Sequence, residues 1–201
     1  MNKKTISVIM AGFCIWTTSI GVSAATHKVA AGDSMWKIAV KYEVGLDEII
    51  AANPTVQNPA LIYPGQVLQI PEPEQAVRSY EQEVIRLVNE IRVQNGLKTL
   101  SEDWELSRVA RFKSQDMKEN QYFSHTSPVY GSPFEMMKNF GLTYQSAAEN
   151  IAKGQKTPQA VVNVWMNSSG HRKNILNASF TRIGVGYVKE GNYWTQMFIG
   201  K

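Results

Sequence analysis

Gly32-Asp33-Ser34-Met35-Trp36-Lys37-Ile38-Ala39 decides the architecture of the first half of the chain. Gly32-Asp33-Ser34 reads as a turn in which Asp33 or Ser34 caps a helix beginning near Met35, and Trp36, Ile38, Ala39 and Tyr42 recur at helical spacing. Working outward, residues 27–31 read as a short strand. Leu46, Ile49 and Ile50 mark a second short helix that Asn53-Pro54 stops, and Pro64-Gly65 turns the chain into a closing strand, Val67-Leu68-Gln69-Ile70. The order is β-α-α-β within roughly 45 residues, near the lower size of an unaided fold.

Pro71-Glu72-Pro73-Glu74-Gln75 follows, a charged, proline-containing stretch that reads as the start of a linker over 72–79, between a small module at 26–71 and a larger domain at 80–201. In the larger domain, Val84, Leu87, Val88 and Ile91 predict a helix from about Glu81 to Gln94, ended by Asn95-Gly96. A second helix is expected from about Trp104 to Asn120. A third starts at Thr157-Pro158 and lines one side with Val161, Val164 and Trp165. Two strands, Arg182 to Lys189 and Tyr193 to Ile199, form a hairpin around Glu190-Gly191-Asn192. The fold class is α+β, with helices against a small sheet.

Met1-Asn2-Lys3-Lys4 places two cations before an apolar run from Ile6 to Trp16 that is too short to span a bilayer, and Val22-Ser23-Ala24-Ala25 supplies small residues for cleavage near Ala24 or Ala25. Residues 1–25 therefore read as a secretory signal peptide, with a retained signal anchor as the alternative. Cys14, the one cysteine, lies in the apolar run behind bulky Phe13, which argues against a lipid anchor. Cleavage removes Lys3 and Lys4 and lowers the formal charge from +4 to +2. That balance, without a Lys/Arg cluster interleaved with aromatics, gives no nucleic-acid stripe. A mature chain without cysteine depends on its apolar core, and no segment beyond the signal is apolar enough to span a membrane.

The string from His27-Lys28-Val29 through Gly32-Asp33-Ser34-Met35-Trp36, Asn53-Pro54 and Leu61-Ile62-Tyr63-Pro64-Gly65-Gln66 to Pro71 resembles the LysM family over nearly its full length. The resemblance implies binding of N-acetylglucosamine-containing glycans, such as peptidoglycan or chitin, in a shallow groove between two loops. Carried over, that groove uses Gly32, Asp33, Ser34 and Met35 on one side and Leu61, Ile62 and Tyr63 on the other. N-acetyl sugars suit such a place, because they present a methyl group to apolar side chains and an amide to backbone donors and acceptors. The plainer reading makes Asp33 a helix cap and Trp36 a core residue. The spacing from Ile62 to Pro64-Gly65 is also similar to the LysM of spore coat assembly proteins.

Residues 80–200 carry Asn89-Glu90-Ile91-Arg92, Ser124-His125-Thr126-Ser127-Pro128, Ala148-Glu149-Asn150-Ile151-Ala152, Trp165, Gly170-His171-Arg172 and Ile183-Gly184-Val185-Gly186 in that order. Together they resemble the CAP superfamily of cysteine-rich secretory proteins, antigen 5 and pathogenesis-related proteins in its compact bacterial form, which implies an α-β-α sandwich. In that family two histidines and two glutamates face a cleft and can hold zinc. The resemblance assigns His125, Glu149 and His171 to the cleft and to a metal site; Ser168 stands where the second glutamate would fall, and the loop from it to Gly170-His171 is shortened.

Two imidazoles and a carboxylate could satisfy zinc and leave a fourth position to water. A metallohydrolase would still lack a base, since Ser168 is a poor proton acceptor. A Ser–His–acid reading through Ser124, Ser127 or Ser168 lacks a Gly-x-Ser-x-Gly elbow. The bland alternative makes His125 and His171 ordinary satisfied histidines and Glu149 an acceptor of nearby amides. Asn89 and Arg92 are expected to tie the first helix to neighbouring loops, Trp165 to be core, and Gly184 and Gly186 to admit another backbone. The expectation is a secreted protein of the cell wall or spore envelope, held to peptidoglycan through the small module and carrying the larger domain as a binding module. A zinc-dependent hydrolase of wall polymers or proteins and a carrier of lipid or another apolar ligand are the alternatives.

Overall fold

The computed structural model describes residues 22–201; the apolar run and Cys14 of the expected signal lie outside them. Strand β1 (Val22–Lys28) pairs antiparallel with β2 (Val67–Pro73), with Lys28 opposite Val67 and Val22 opposite Pro73. Helices α1 (Met35–Tyr42) and α2 (Leu46–Ala52) lie between them in the chain. Ser34 caps α1 by accepting from the Lys37 amide at 3.2 Å. Asn53 ends α2 and ties it to the sheet: its Nδ2 donates to the Ile49 and Gln69 carbonyls, and its Oδ1 accepts from the Gln69 amide at 2.8 Å. Val29, Met35, Ile38, Ala39, Val44, Ile49, Leu68 and Ile70 form a closed core.

Two expectations are corrected here. The first strand covers 22–28 rather than 27–31, so residues 22–25 before the expected cleavage point are paired with β2. The stretch expected to be a linker over 72–79 is structured: β2 continues to Pro73 and helix α3 (Gln75–Gln94) begins after Glu74 alone. The reason lies in strand parity. The Gln69 amide points away from β1 toward Asn53, so positions 71 and 73 share that outward direction, and proline there removes no ladder hydrogen bond.

The larger domain continues with β3 (Ser101–Glu102), α4 (Trp104–Glu119), α5 (Pro133–Asn139), β4 (Ser146–Lys153), α6 (Pro158–Asn167), α7 (Ser169–Ile175), β5 (Arg182–Val188) and β6 (Tyr193–Gly200). The sheet order is β3-β5-β6-β4, with β3 parallel to β5 and the other pairs antiparallel. Alternate residues of β5 and β6 feed opposite cores. Ile183, Val185, Trp194 and Phe198 pack with α3 and α6, whereas Met197 and Ile199 pack with α4 and α5. The result is the expected α-β-α sandwich. Gly184 and Gly186 face α4, where a Cβ would sit 2.4 Å from the Ser107 nitrogen and 2.1 Å from the Arg111 nitrogen. Asn89 exchanges hydrogen bonds with Leu100, and Arg92 donates to the carbonyls of Lys98, Ile175 and Asn177, as expected of loop ties.

The two domains meet at α1, α2, α3 and α4. Glu43 pairs with Arg78, and Glu48 accepts from Arg108 Nε at 2.6 Å while also accepting from the Gly45 amide. A Cβ on Gly45 would overlap the Arg108 guanidinium, which lies over the rings of Phe112 and Phe140.

Candidate functional site

The cleft forms at the free edge of the sheet. In β4, Glu149 opposes Met197 and Asn150 opposes Gln196, so Glu149 projects to the α4 face and Asn150 to the α3/α6 face. His125, on the loop after α4, reaches Glu149 from the first side, with Nδ1 2.7 Å from Oε1. His171, on α7, comes from the second side. Asn150 Nδ2 donates to the His171 carbonyl at 3.2 Å, and Asn174 Nδ2 donates to Asn150 Oδ1 at 2.8 Å. The structure therefore brings His125, Glu149 and His171 to one edge.

Electrostatics there follow from burial. Burial pushes the Glu149 carboxyl upward, opposed by the hydrogen bond from His125 and the charge of Lys113. Burial pushes His171 downward, and the neighbouring His125 adds to that, as two facing imidazoles should. Glu149 Oε2 and His171 Nδ1 are buried without a hydrogen-bond partner among the described residues, so the bland picture of fully satisfied side chains does not hold.

The expected metal set of His125, His171 and Glu149 is corrected: among the described residues no three His, Cys, Asp or Glu side chains converge so as to hold an ion. The physical reason is that the buried Glu149 carboxylate is turned to His125 Nδ1 and orients that ring. The residues present do not fit a three-ligand zinc site. Ser168 is the junction of α6 and α7, and its side chain caps neither helix. Ser127 accepts from the Val129 and Tyr130 amides and Ser124 from the Thr126 amide, so these hydroxyls serve turns.

In the small module the Lys28–Val67 pair places the loop after β1 and the loop before β2 side by side. Val29 and the second loop exchange backbone bonds: the Val29 amide donates to the Gln66 carbonyl and the Gly65 amide to the Val29 carbonyl, both at 2.8 Å. Leu61 and Tyr63 are 54% and 60% exposed at this rim, Ile62 is half-buried, and Gly32 turns with φ 86°. Met35 is buried and supports the rim from beneath. Asp33 is more than a turn residue: its Oδ2 meets His27 Nε2 at 2.9 Å and accepts from the Ala30 amide at 2.8 Å, which holds its carboxyl below the usual range. Trp36, expected in the core, is 56% exposed; it follows Met35 in α1, and the inward positions belong to Met35, Ile38 and Ala39.

Sequence reasoning missed His27, whose ring bridges Asp33 and the Tyr42 hydroxyl beneath the groove loop. It also missed Lys113, a fully buried lysine on α4. Its signal was present, since Leu106, Val109, Ala110 and Met117 make an inward stripe on which a charged residue is out of place.

Comparison with known proteins agrees with this geometry. The profile of the cysteine-rich secretory protein family, CAP, matches residues 85–199, and the LysM domain profile matches residues 27–71. The chain belongs to the CAP family and carries a LysM domain before the CAP domain. It is 63% identical over 126 residues to the uncharacterized protein YkwD of Bacillus subtilis, a match that spans 63% of this chain and 49% of that protein. The spore coat assembly protein ExsA of Bacillus cereus is 44% identical over 45 residues, 22% of this chain and 7% of ExsA. A solved extracellular SCP-domain protein from Bacillus anthracis superposes with a TM-score of 0.61 at 35% identity, over 68% of this chain and 47% of that one. The chain thus spans about half the length of YkwD.

Proposed function

We propose that the protein is exported to the cell wall or spore envelope, where the LysM groove grips N-acetylglucosamine-containing polymer and the CAP domain presents its edge cleft as a binding module. The observation that carries this reading is the pairing of Lys28 with Val67, which sets the Gly32–Met35 loop beside exposed Leu61 and Tyr63. Apolar side chains and turn backbone are then available together, the combination that the methyl and amide of an N-acetyl sugar need. The names of ExsA and of the extracellular Bacillus anthracis protein support the envelope assignment. One groove gives modest affinity for one site, and a polymer offers many.

Co-sedimentation with peptidoglycan sacculi is the test. The full chain should pellet with sacculi and Tyr63→Ala should lose most of that binding while remaining folded; equal pelleting of both proteins would reject the groove. A catalytic CAP domain would reveal itself by muropeptides released from sacculi in the presence of zinc, abolished by His171→Ala.

A second reading, the carrier of an apolar ligand, is favoured by one feature. Phe123, two residues from His125, is 50% exposed, and Val129 further along the same connection and Phe134 at the start of α5 are exposed as well. Native mass spectrometry of the purified protein should show a retained apolar molecule if that reading is right, and bare protein in every preparation would dismiss it.

A further inference from the structure

We infer that Lys113 is the positioning residue of the cleft, a buried ammonium that fixes the backbone carrying His125 so that its ring meets Glu149. This deepens the reading of the cleft as a ligand site and rests on it. On α4 Leu106, Val109, Ala110 and Met117 form an apolar stripe flanked by buried Ser107, Ser114 and Asp116, and Lys113 stands in that stripe with no exposed surface. Burying an ammonium costs several kcal/mol unless its protons are taken, and an apolar residue would complete the stripe at no such cost. A residue that breaks the pattern this way points to a role outside stability.

The contacts show what that role is. Lys113 Nζ donates to the His125 carbonyl and to the Tyr122 hydroxyl, each at 2.9 Å, and lies 4.8 Å from the centre of the Tyr122 ring. The Tyr122 hydroxyl donates in turn to Asp116, whose other oxygen accepts from Asn120 Nδ2 at 2.8 Å. Both ends of this chain stand on α4, one turn apart, and the segment folds back onto the helix through Gln121, which adopts a left-handed φ of 52°. Between Gln121 and the bridge of Ser127 to Gly131 the backbone has no regular structure, and Phe123, Ser124, His125 and Thr126 are all exposed. His125 is therefore anchored twice, through its carbonyl by Lys113 and through its ring by Glu149. Neither direct partner of the ammonium is a carboxylate. Asp116 and Glu149 supply the surrounding negative charge from α4 and β4.

The full chain carrying Lys113→Met keeps the volume and removes the charge. The thermal midpoint should stay the same or rise. Backbone order parameters of residues 123–126 should fall from the rigid range near 0.85 toward 0.6. The downfield Nδ1 proton signal of His125, assigned with His125→Gln, should vanish. Tyr122→Phe, which leaves the bond to the His125 carbonyl, should retain that signal. Unchanged order parameters and an unchanged imidazole proton in Lys113→Met would overturn the inference. So would a lowered midpoint with order lost throughout α4, which would make the lysine structural. None of these readouts uses a ligand, so failure of the cleft to bind anything, which would defeat the functional reading, is a separate result.

Discussion

Met35 and Trp36 are neighbours with opposite fates, and the contrast decides what each substitution costs. Met35 is buried beneath the groove loop, so Met35→Ala should lose about 2–5 kcal/mol in a denaturant titration. Trp36 is more than half exposed, so Trp36→Ala should stay within about 0.5 kcal/mol of the parent in the same titration. Asp33 sets the pH dependence of the loop. Its carboxyl is held below the ordinary 3.8 by the hydrogen bond from His27 and the Ala30 amide. A lowered carboxyl contributes stability that is present above the unfolded value and lost as the pH falls through the folded one. Binding to sacculi should thus persist from neutrality to about pH 4 and decline below it, and Asp33→Asn, which cannot titrate, should flatten that decline.

At the scale of elements, β5 lies against α4 so closely that two positions admit only glycine. Gly186→Ala would place a methyl group on the Arg111 backbone, which cannot rotate away, and should cost about 3 kcal/mol, read as a lower urea midpoint. The glycine pattern of β5, the caps of α1 and α6, and the hairpin were legible because each is local chemistry written in a few residues. β4 was not. Ser146–Lys153 has three Ala beside Glu149 and Asn150, residues with poor strand preference, and pairs as a strand with its partner β6. Glu149 and the two histidines were legible from their motifs, but the pairing of Glu149 with His125 was not, because parity on β4 decides which way a carboxylate points. The proline stretch misled for a related reason: proline breaks a ladder only where its nitrogen faces the partner strand.

At the scale of the whole molecule, the seam between the domains is held by charge. A cavity of about 320 Å³ lies there, lined in part by Val44, Pro71, Val77, Phe112 and Val188, so apolar packing across it is incomplete. The partly buried Arg108–Glu48 pair takes up part of that task. A double-mutant cycle with Arg108→Met and Glu48→Gln should return a coupling of about 1 kcal/mol that shrinks as salt is added. A coupling of zero at low salt would mean that this pair adds nothing to the seam, leaving it to the Glu43–Arg78 pair and the apolar contacts.

β2 begins at Val67 beside the loop that carries Leu61 and Tyr63, and it delivers the chain to the CAP domain at Pro73. A seven-residue strand spans about 23 Å, and α1 runs the same way, from the groove loop at Met35 to the seam at Glu43. The loops at 29–35 and 61–66 therefore lie at the end of the small domain away from Pro73. If the groove proposed above holds a glycan, that glycan sits at the end of β2 opposite the end that meets the CAP domain, and the strand sets the spacing between them.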